Sequence, residues 1–312
     1  MDIFLKSISG ILVILGMILV GFIIGEKGWF DDKSRGLLAK LVTQVALPCY
    51  MLYTITQRFT AAALLKMLPE LRFPALSMII LLGIATAVAR IFAVRQDRRG
   101  LFISMFFNSN TIFVGLPINQ ALFGDDSIPY VLIYYMCNTT FFWTLGTYLI
   151  QRDGEGEARF DLKTSLKKVF SPPLMGFLLG LVLVMLQIKL PAFLASDLQY
   201  LGNLTTPLSM IFIGLSVSHV GVKQLVLGKD QLLILLGRFL VAPLLMATIV
   251  YWLPLPSLMK QVFIIQSAMP VMTNAPVVAR LYGADSDYAA VMVTETTLAT
   301  MVVIPILMLL MA

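Results

Sequence analysis

The sequence predicts an all-α integral membrane fold: ten transmembrane helices in two inverted repeats of five, with the fourth and ninth helices broken. Three observations predict it. Of 312 residues, 59% are hydrophobic and only 13% charged, and the mean hydropathy is +0.89, far outside the range of a soluble domain. Apolar stretches of about 20 residues, the length a bilayer span needs, recur along the whole chain with short polar interruptions. Finally, one shift of 159 residues, which takes Pro48 to Pro207, also takes Pro117 to Pro276, Gly21 to Gly180, Met51 to Met210, Leu122 to Leu281, Gly124 to Gly283 and Asp126 to Asp285.

The first apolar run, near residues 4 to 25, is too long and too glycine-spaced for a signal h-region and lacks a small-residue cleavage site after it, so it is expected to remain as a span. Further spans are expected near 37 to 57, 74 to 94, 100 to 122 and 128 to 150, then 172 to 188, 203 to 220, 231 to 253, 258 to 281 and 287 to 311. The longest polar connection, "QRDGEGEARFDLKTSLKK", covers 151 to 168 and suits a loop feeding a short amphipathic helix. It divides the chain into a first repeat, 1 to 150, and a second, 169 to 312. Five is an odd number of crossings, so the second repeat enters the membrane from the opposite side.

The net charge of +6 is scattered through short loops rather than gathered on a face, so it reads as membrane orientation and not as a nucleic-acid surface. With the N-terminus outside, the inner connections carry Lys27, Lys33, Arg35, Arg95, Arg98, Arg99, Arg152, Arg159, Lys163, Lys167, Lys168, Lys223 and Lys229. The outer ones carry only Lys6, Arg58, Lys66, Arg72, Lys189 and Lys260. This places both termini outside the cell membrane and the central linker in the cytoplasm.

Little in the chain suggests enzyme chemistry. There is no HExxH, CxxC, P-loop or nucleophile elbow. Cys49 and Cys137 lie inside apolar segments and read as small core residues. The pairs Asp31–Asp32 and Asp125–Asp126 fall in connections without the spaced acidic partner a magnesium site needs. His219 sits near the end of the seventh span and reads as an interfacial residue rather than a proton relay. No metal and no cofactor is expected.

The fourth and ninth spans carry the chemistry. "NSNTIFVGLPINQALFG", 108 to 124, holds Asn108, Asn110, Asn119, Gly115 and Pro117; its mate, "SAMPVMTNAPVVARLYG", 267 to 283, holds Pro270, Asn274 and Pro276. Proline inside a span removes a donor and frees carbonyls that lipid cannot satisfy, so the break survives only within protein or beside a wet cavity. Half-helices that restart there point bare N–H groups and positive dipole ends inward, a setting for an anion. Asn110, Thr111 and Asn274 would orient it. The alternative is a pair of plain proline kinks with asparagines gluing helices together.

With "NTIFVGLPINQALFG", "NAPVVARLYG" and "TTLATMVVIPIL" (296 to 307), the sequence resembles the auxin efflux carrier family, which includes plant auxin exporters and bacterial permeases for malate and related acids. The resemblance spans nearly the whole chain. It implies a fold similar to the bile acid sodium symporters, with helices 1, 2, 6 and 7 as scaffold and 3 to 5 and 8 to 10 as transport domain, and with the broken helices crossing at Pro117 and Pro276. It also implies that Asn110 contacts substrate and that Tyr134, Asn138 and Thr139 form the other polar wall. The central loop is far shorter than in plant members, which points to a bacterial-type permease.

Two charges lie deep in spans: Arg238, about 11 Å into the eighth, and Glu295, about 13 Å into the tenth. Their depths suit an ion pair inside the transport domain. Glu295 taking up a coupling proton and Arg238 meeting a substrate carboxylate are the alternatives. The expected function is elevator-like secondary transport of small organic anions, mono- or dicarboxylates such as malate. The alternatives are a sodium-coupled symporter of the bile acid type, drawing on Asn108, Ser109 and Glu295, and a membrane anion sensor that does not transport. The expected partners are the organic anion and the lipid bilayer, with no nucleic acid; a homodimer is left open, as is coupling to sodium or protons.

Overall fold

In the computed structural model, which describes residues 2–154, 170–220 and 227–311, every regular element among those residues is helical. The helices are α1 (Asp2–Glu26), α2 (Asp32–Leu41), α3 (Leu47–Arg58), α4 (Ala61–Met67), α5 (Arg72–Ile91), α6 (Arg99–Phe107), α7 (Gly115–Phe123), α8 (Ile128–Phe141) and α9 (Thr147–Asp153). There follow α10 (Pro172–Met185), α11 (Ala192–Asn203), α12 (Thr205–Val220), α13 (Lys229–Leu236), α14 (Ala242–Tyr251), α15 (Ser257–Ser267), α16 (Ala275–Tyr282) and α17 (Ser286–Met311). Among the described residues, five continuous helical stretches are long and apolar enough to cross a membrane: Lys33–Arg58, Ala61–Ile91, Ala192–His219, Lys229–Tyr251 and Ser286–Met311. Three stretches are continued by π-helical turns, at Val42–Ala46, Phe142–Gly146 and Gly237–Val241.

The second span starts earlier than residue 37 because Asp31 caps α2, accepting from Ser34 N at 2.7 Å. The seventh is likewise longer than expected, since α11 runs into α12 with only Leu204 between them. The amphipathic helix expected near the central linker, and Lys223, fall outside the described residues.

The chain divides into two compact units. One comprises Leu15–Glu70 and Lys167–His219, and its helices meet at small residues. A Cβ on Gly21 would run into the Ile211 carbonyl, and one on Gly214 into the Ile18 carbonyl, so α1 and α12 touch backbone to backbone. Gly176 faces the Pro48 carbonyl and Gly180 the Ile55 side chain, which lets α10 lie close along α3, while Gly202 of α11 faces the Tyr50 backbone. Lipid tails offer no hydrophobic drive for helix association, and close approach of this kind replaces it with dispersion and backbone contacts.

The other unit comprises Met1–Ile14, Leu71–Leu166 and Val220–Ala312. Its core is aromatic and aliphatic, built on Phe102, Phe106, Phe107 and Phe142 with Val271, Ala275, Val278, Met292 and Val293 around them. Near one end, Asp153 accepts from Leu101 N at 2.6 Å and so occupies the start of α6. Arg98 pairs with Asp230 at 2.5 Å and stacks on Tyr288, 4.7 Å from the ring centre. This unit holds both broken helices.

Candidate functional site

Neither broken helix is a simple kink. After Phe107 the chain leaves the helix at Asn108 (φ −93°, ψ 143°) and resumes at Gly115; after Ser267 it leaves again and resumes at Ala275. The two irregular segments, 108–114 and 268–274, meet. Asn110 N–H donates to the Pro270 carbonyl at 2.8 Å, and the Gln266 amide donates to the Thr111 carbonyl at 3.2 Å. Gly115 lies against the end of Gln266, where a Cβ would strike the amide.

The prolines expected at the crossing stand just past it. Pro117 and Pro276 lie in the first turns of α7 and α16, where a missing N–H costs nothing because the first N–H groups of a helix have no intrahelical acceptor. The interruptions therefore precede these prolines, and Asn110 and Pro270 make the contact. Pro117 and Pro270 are buried and Pro276 half-buried.

The remaining expected residues divide by what already occupies their polar atoms. Asn110 is 3% exposed; its Oδ1 accepts from Phe113 N at 3.2 Å, its carbonyl accepts from Gly115 N at 3.0 Å, and its Nδ2 has no partner among the described residues. Thr111 is buried, with its carbonyl taken by Gln266. Thr139 is buried and its hydroxyl unpartnered. Tyr134 is buried, its ring 6.2 Å from that of Phe263. Asn274 is half-buried and precedes α16 without capping it by its side chain.

Asn138 engages the backbone of the first break. Its Oδ1 accepts from Ser109 N at 2.8 Å and its Nδ2 donates to the Ser109 carbonyl at 2.7 Å, so the amide is spent on holding the first break open. It braces the backbone at Ser109.

The expected ion pair is also corrected. Arg238 is fully enclosed and donates to three main-chain carbonyls, Met269 and Phe106 at 3.1 Å each and Ser267. Both carboxylate oxygens of Glu295 lack a hydrogen-bond partner among the described residues. Neighbouring Thr296 is engaged: its hydroxyl accepts from Val271 N at 3.0 Å and ties α17 to the second break. No group of three or more His, Cys, Asp or Glu that could hold a metal ion occurs among the described residues.

Gln266 and Thr296 are the residues that sequence reasoning did not single out for this site. Gln266 carried a signal, as a glutamine amid the apolar run "QVFIIQSAMP". The arrangement brings two fresh helix N-termini, neither with an acidic side chain in its first turn, together with buried polar atoms that have no partner among the described residues: Asn110 Nδ2 and Gln266 Oε1. Chemically, this is a setting for binding and orientation.

Comparison with known proteins agrees with a carrier. An uncharacterised transporter of Methanocaldococcus jannaschii is 27% identical over 301 residues, covering 94% of this chain and 95% of its own. An uncharacterised transporter of Methanothermobacter thermautotrophicus is 27% identical over 312 residues, covering 97% and 98%. Residues 7–308 match the family described as membrane transport protein, and the chain accordingly belongs to that auxin efflux carrier-like family, as a membrane transporter and not an enzyme.

Proposed function

We propose that the protein is a secondary transporter of small organic anions, mono- or dicarboxylates such as malate, which bind where segments 108–114 and 268–274 meet. The observation that carries this reading is the hydrogen bond from Asn110 N to the Pro270 carbonyl. Gly115 and Ala275, the first residues of α7 and α16, each follow five residues after a partner in that bond. Two positive helix ends in a buried setting can replace much of the hydration of a carboxylate. Asn110, Thr111, Thr139 and Asn274 are then the orienting side chains.

The carrier works by elevator-like alternating access in a cell membrane, with both termini outside and ten spans in two inverted repeats. The pairing of Gly124 with Gly283 supports the repeat: each ends its second half-helix, with φ +72° and +73°. The division of the chain supports a moving part made of the third to fifth and eighth to tenth spans, since these fall in one compact unit. A thermal-shift panel of organic acids on the purified protein tests the substrate class, because a ligand selective for the native state raises Tm. A rise with C3 or C4 carboxylates supports the reading, and a rise only with cations or uncharged compounds contradicts it.

A further inference from the structure

The Arg238 guanidinium lies at the other pole of the crossing. Phe106, whose carbonyl accepts from Nη1, is in the last turn of α6, and Ser267, whose carbonyl accepts from Nη2, is the last residue of α15; Nε is satisfied by Met269, two residues on. One side chain thus closes the C-terminal ends of both first half-helices. Each such end presents unpaired carbonyls and about half a negative charge, so two converging ends are matched by a single cation. A planar fork of donors can serve three carbonyls at once, which a lysine ammonium on a flexible stem does less well.

In carriers built on interrupted helices, half-helix C-termini and unwound carbonyls are where a coupling cation binds. Here three of those carbonyls, of Phe106, Ser267 and Met269, are engaged by the chain itself. Glu295 forms no hydrogen bond to the guanidinium. The N-terminal ends of α7 and α16, by contrast, have neither a side-chain cap nor an acidic residue in the first turn. The end charges that remain uncancelled at the crossing are the positive ones.

We propose that Arg238 is a resident counter-cation: it takes the place of an exchangeable alkali cation at the C-terminal pole, holds both breaks in register, and leaves the N-terminal pole to an anion. It is a positioning residue and touches no substrate. The anion half of this assignment rests on the carboxylate-carrier reading; the cation half does not.

The test uses the purified full-length protein in sodium and in choline buffer, with malate as probe, and the variants Arg238→Gln, Arg238→Lys and Arg238→Ala. Wild type is expected to bind malate equally in both buffers. Arg238→Gln should lower the Tm of the unliganded protein and weaken malate binding at least tenfold, with Arg238→Lys in between. Millimolar guanidinium, and not sodium, should restore the Tm of Arg238→Ala. A sodium requirement in wild type, or wild-type Tm and affinity in Arg238→Gln, overturns the assignment. If malate does not bind wild type, the carboxylate reading fails on its own, and recovery of the unliganded Arg238→Ala by guanidinium still decides the cation role. Should Arg238→Ala not fold, Arg238→Lys decides: stability unaffected by sodium supports the assignment, and stabilisation by sodium overturns it.

Discussion

Asn110 and Pro270 are joined through their main chains, N–H to carbonyl at 2.8 Å, although they belong to opposite halves of the sequence. Irregular backbone at such depth must find its partners in protein, and here each break supplies part of what the other needs. The side chain of Asn110 is left with an unused donor in a buried place, an arrangement that costs stability unless something else uses it.

Asn110 is therefore the first residue to change. Replacing it with alanine removes a donor to a charged ligand, worth about 1.5–3 kcal/mol, and should raise KM for the transported acid by roughly 10- to 100-fold. Asn110→Asp should abolish uptake, since a carboxylate would face the substrate's own. Initial rates in proteoliposomes read both. Unchanged KM in the alanine variant would remove Asn110 from the site.

Gly115 and Gln266 should behave as a coupled pair. A Cβ at 115 displaces the Gln266 amide and with it the bond to Thr111, at a cost of about 1 kcal/mol. In a Gln266→Ala background the same substitution should cost almost nothing. A double-mutant cycle on Tm measures this; additive losses would mean that the amide moves aside freely.

Asn138 and Thr139, neighbours on α8, should separate stability from affinity. Asn138→Ala leaves the Ser109 N–H and carbonyl unpaired, a loss of about 1–3 kcal/mol for each buried group, so its main effect should be a lowered Tm. Thr139→Val keeps the shape and removes an unpartnered hydroxyl; its Tm should hold or rise while its KM rises. The reverse pattern would exchange the two roles.

Glu295 has no cationic partner among the described residues, and this predicts how it responds to neutralisation. Breaking a buried ion pair is strongly destabilising, whereas removing an unpaired buried charge is not. Glu295→Gln should therefore keep or raise Tm. A clear fall would reveal an ionic partner and return the residue to a structural role.

Much of this was legible in the residues, and the parts that were not have physical reasons. The two breaks could be read because glycine, asparagine and proline crowd into otherwise apolar spans, yet their positions came out several residues late. A proline inside a span suggests the site of interruption, whereas Pro117 and Pro276 are tolerated inside first turns. The Arg238–Glu295 pair failed because rise along a helix sets depth and not azimuth. Moreover, the guanidinium's true partners are backbone carbonyls, which no side-chain pattern displays. Asn138 is similar: an amide within a span does not display in sequence that it bonds the Ser109 backbone.

Solute counterflow separates carriage of an anion from mere binding. Proteoliposomes preloaded with unlabelled malate are placed in trace labelled malate, with the wild-type protein and Asn110→Asp side by side. Label should accumulate transiently with wild type and not with the variant. Saturable malate binding by wild type with no counterflow would contradict it, and would make the protein a binder of anions rather than their carrier.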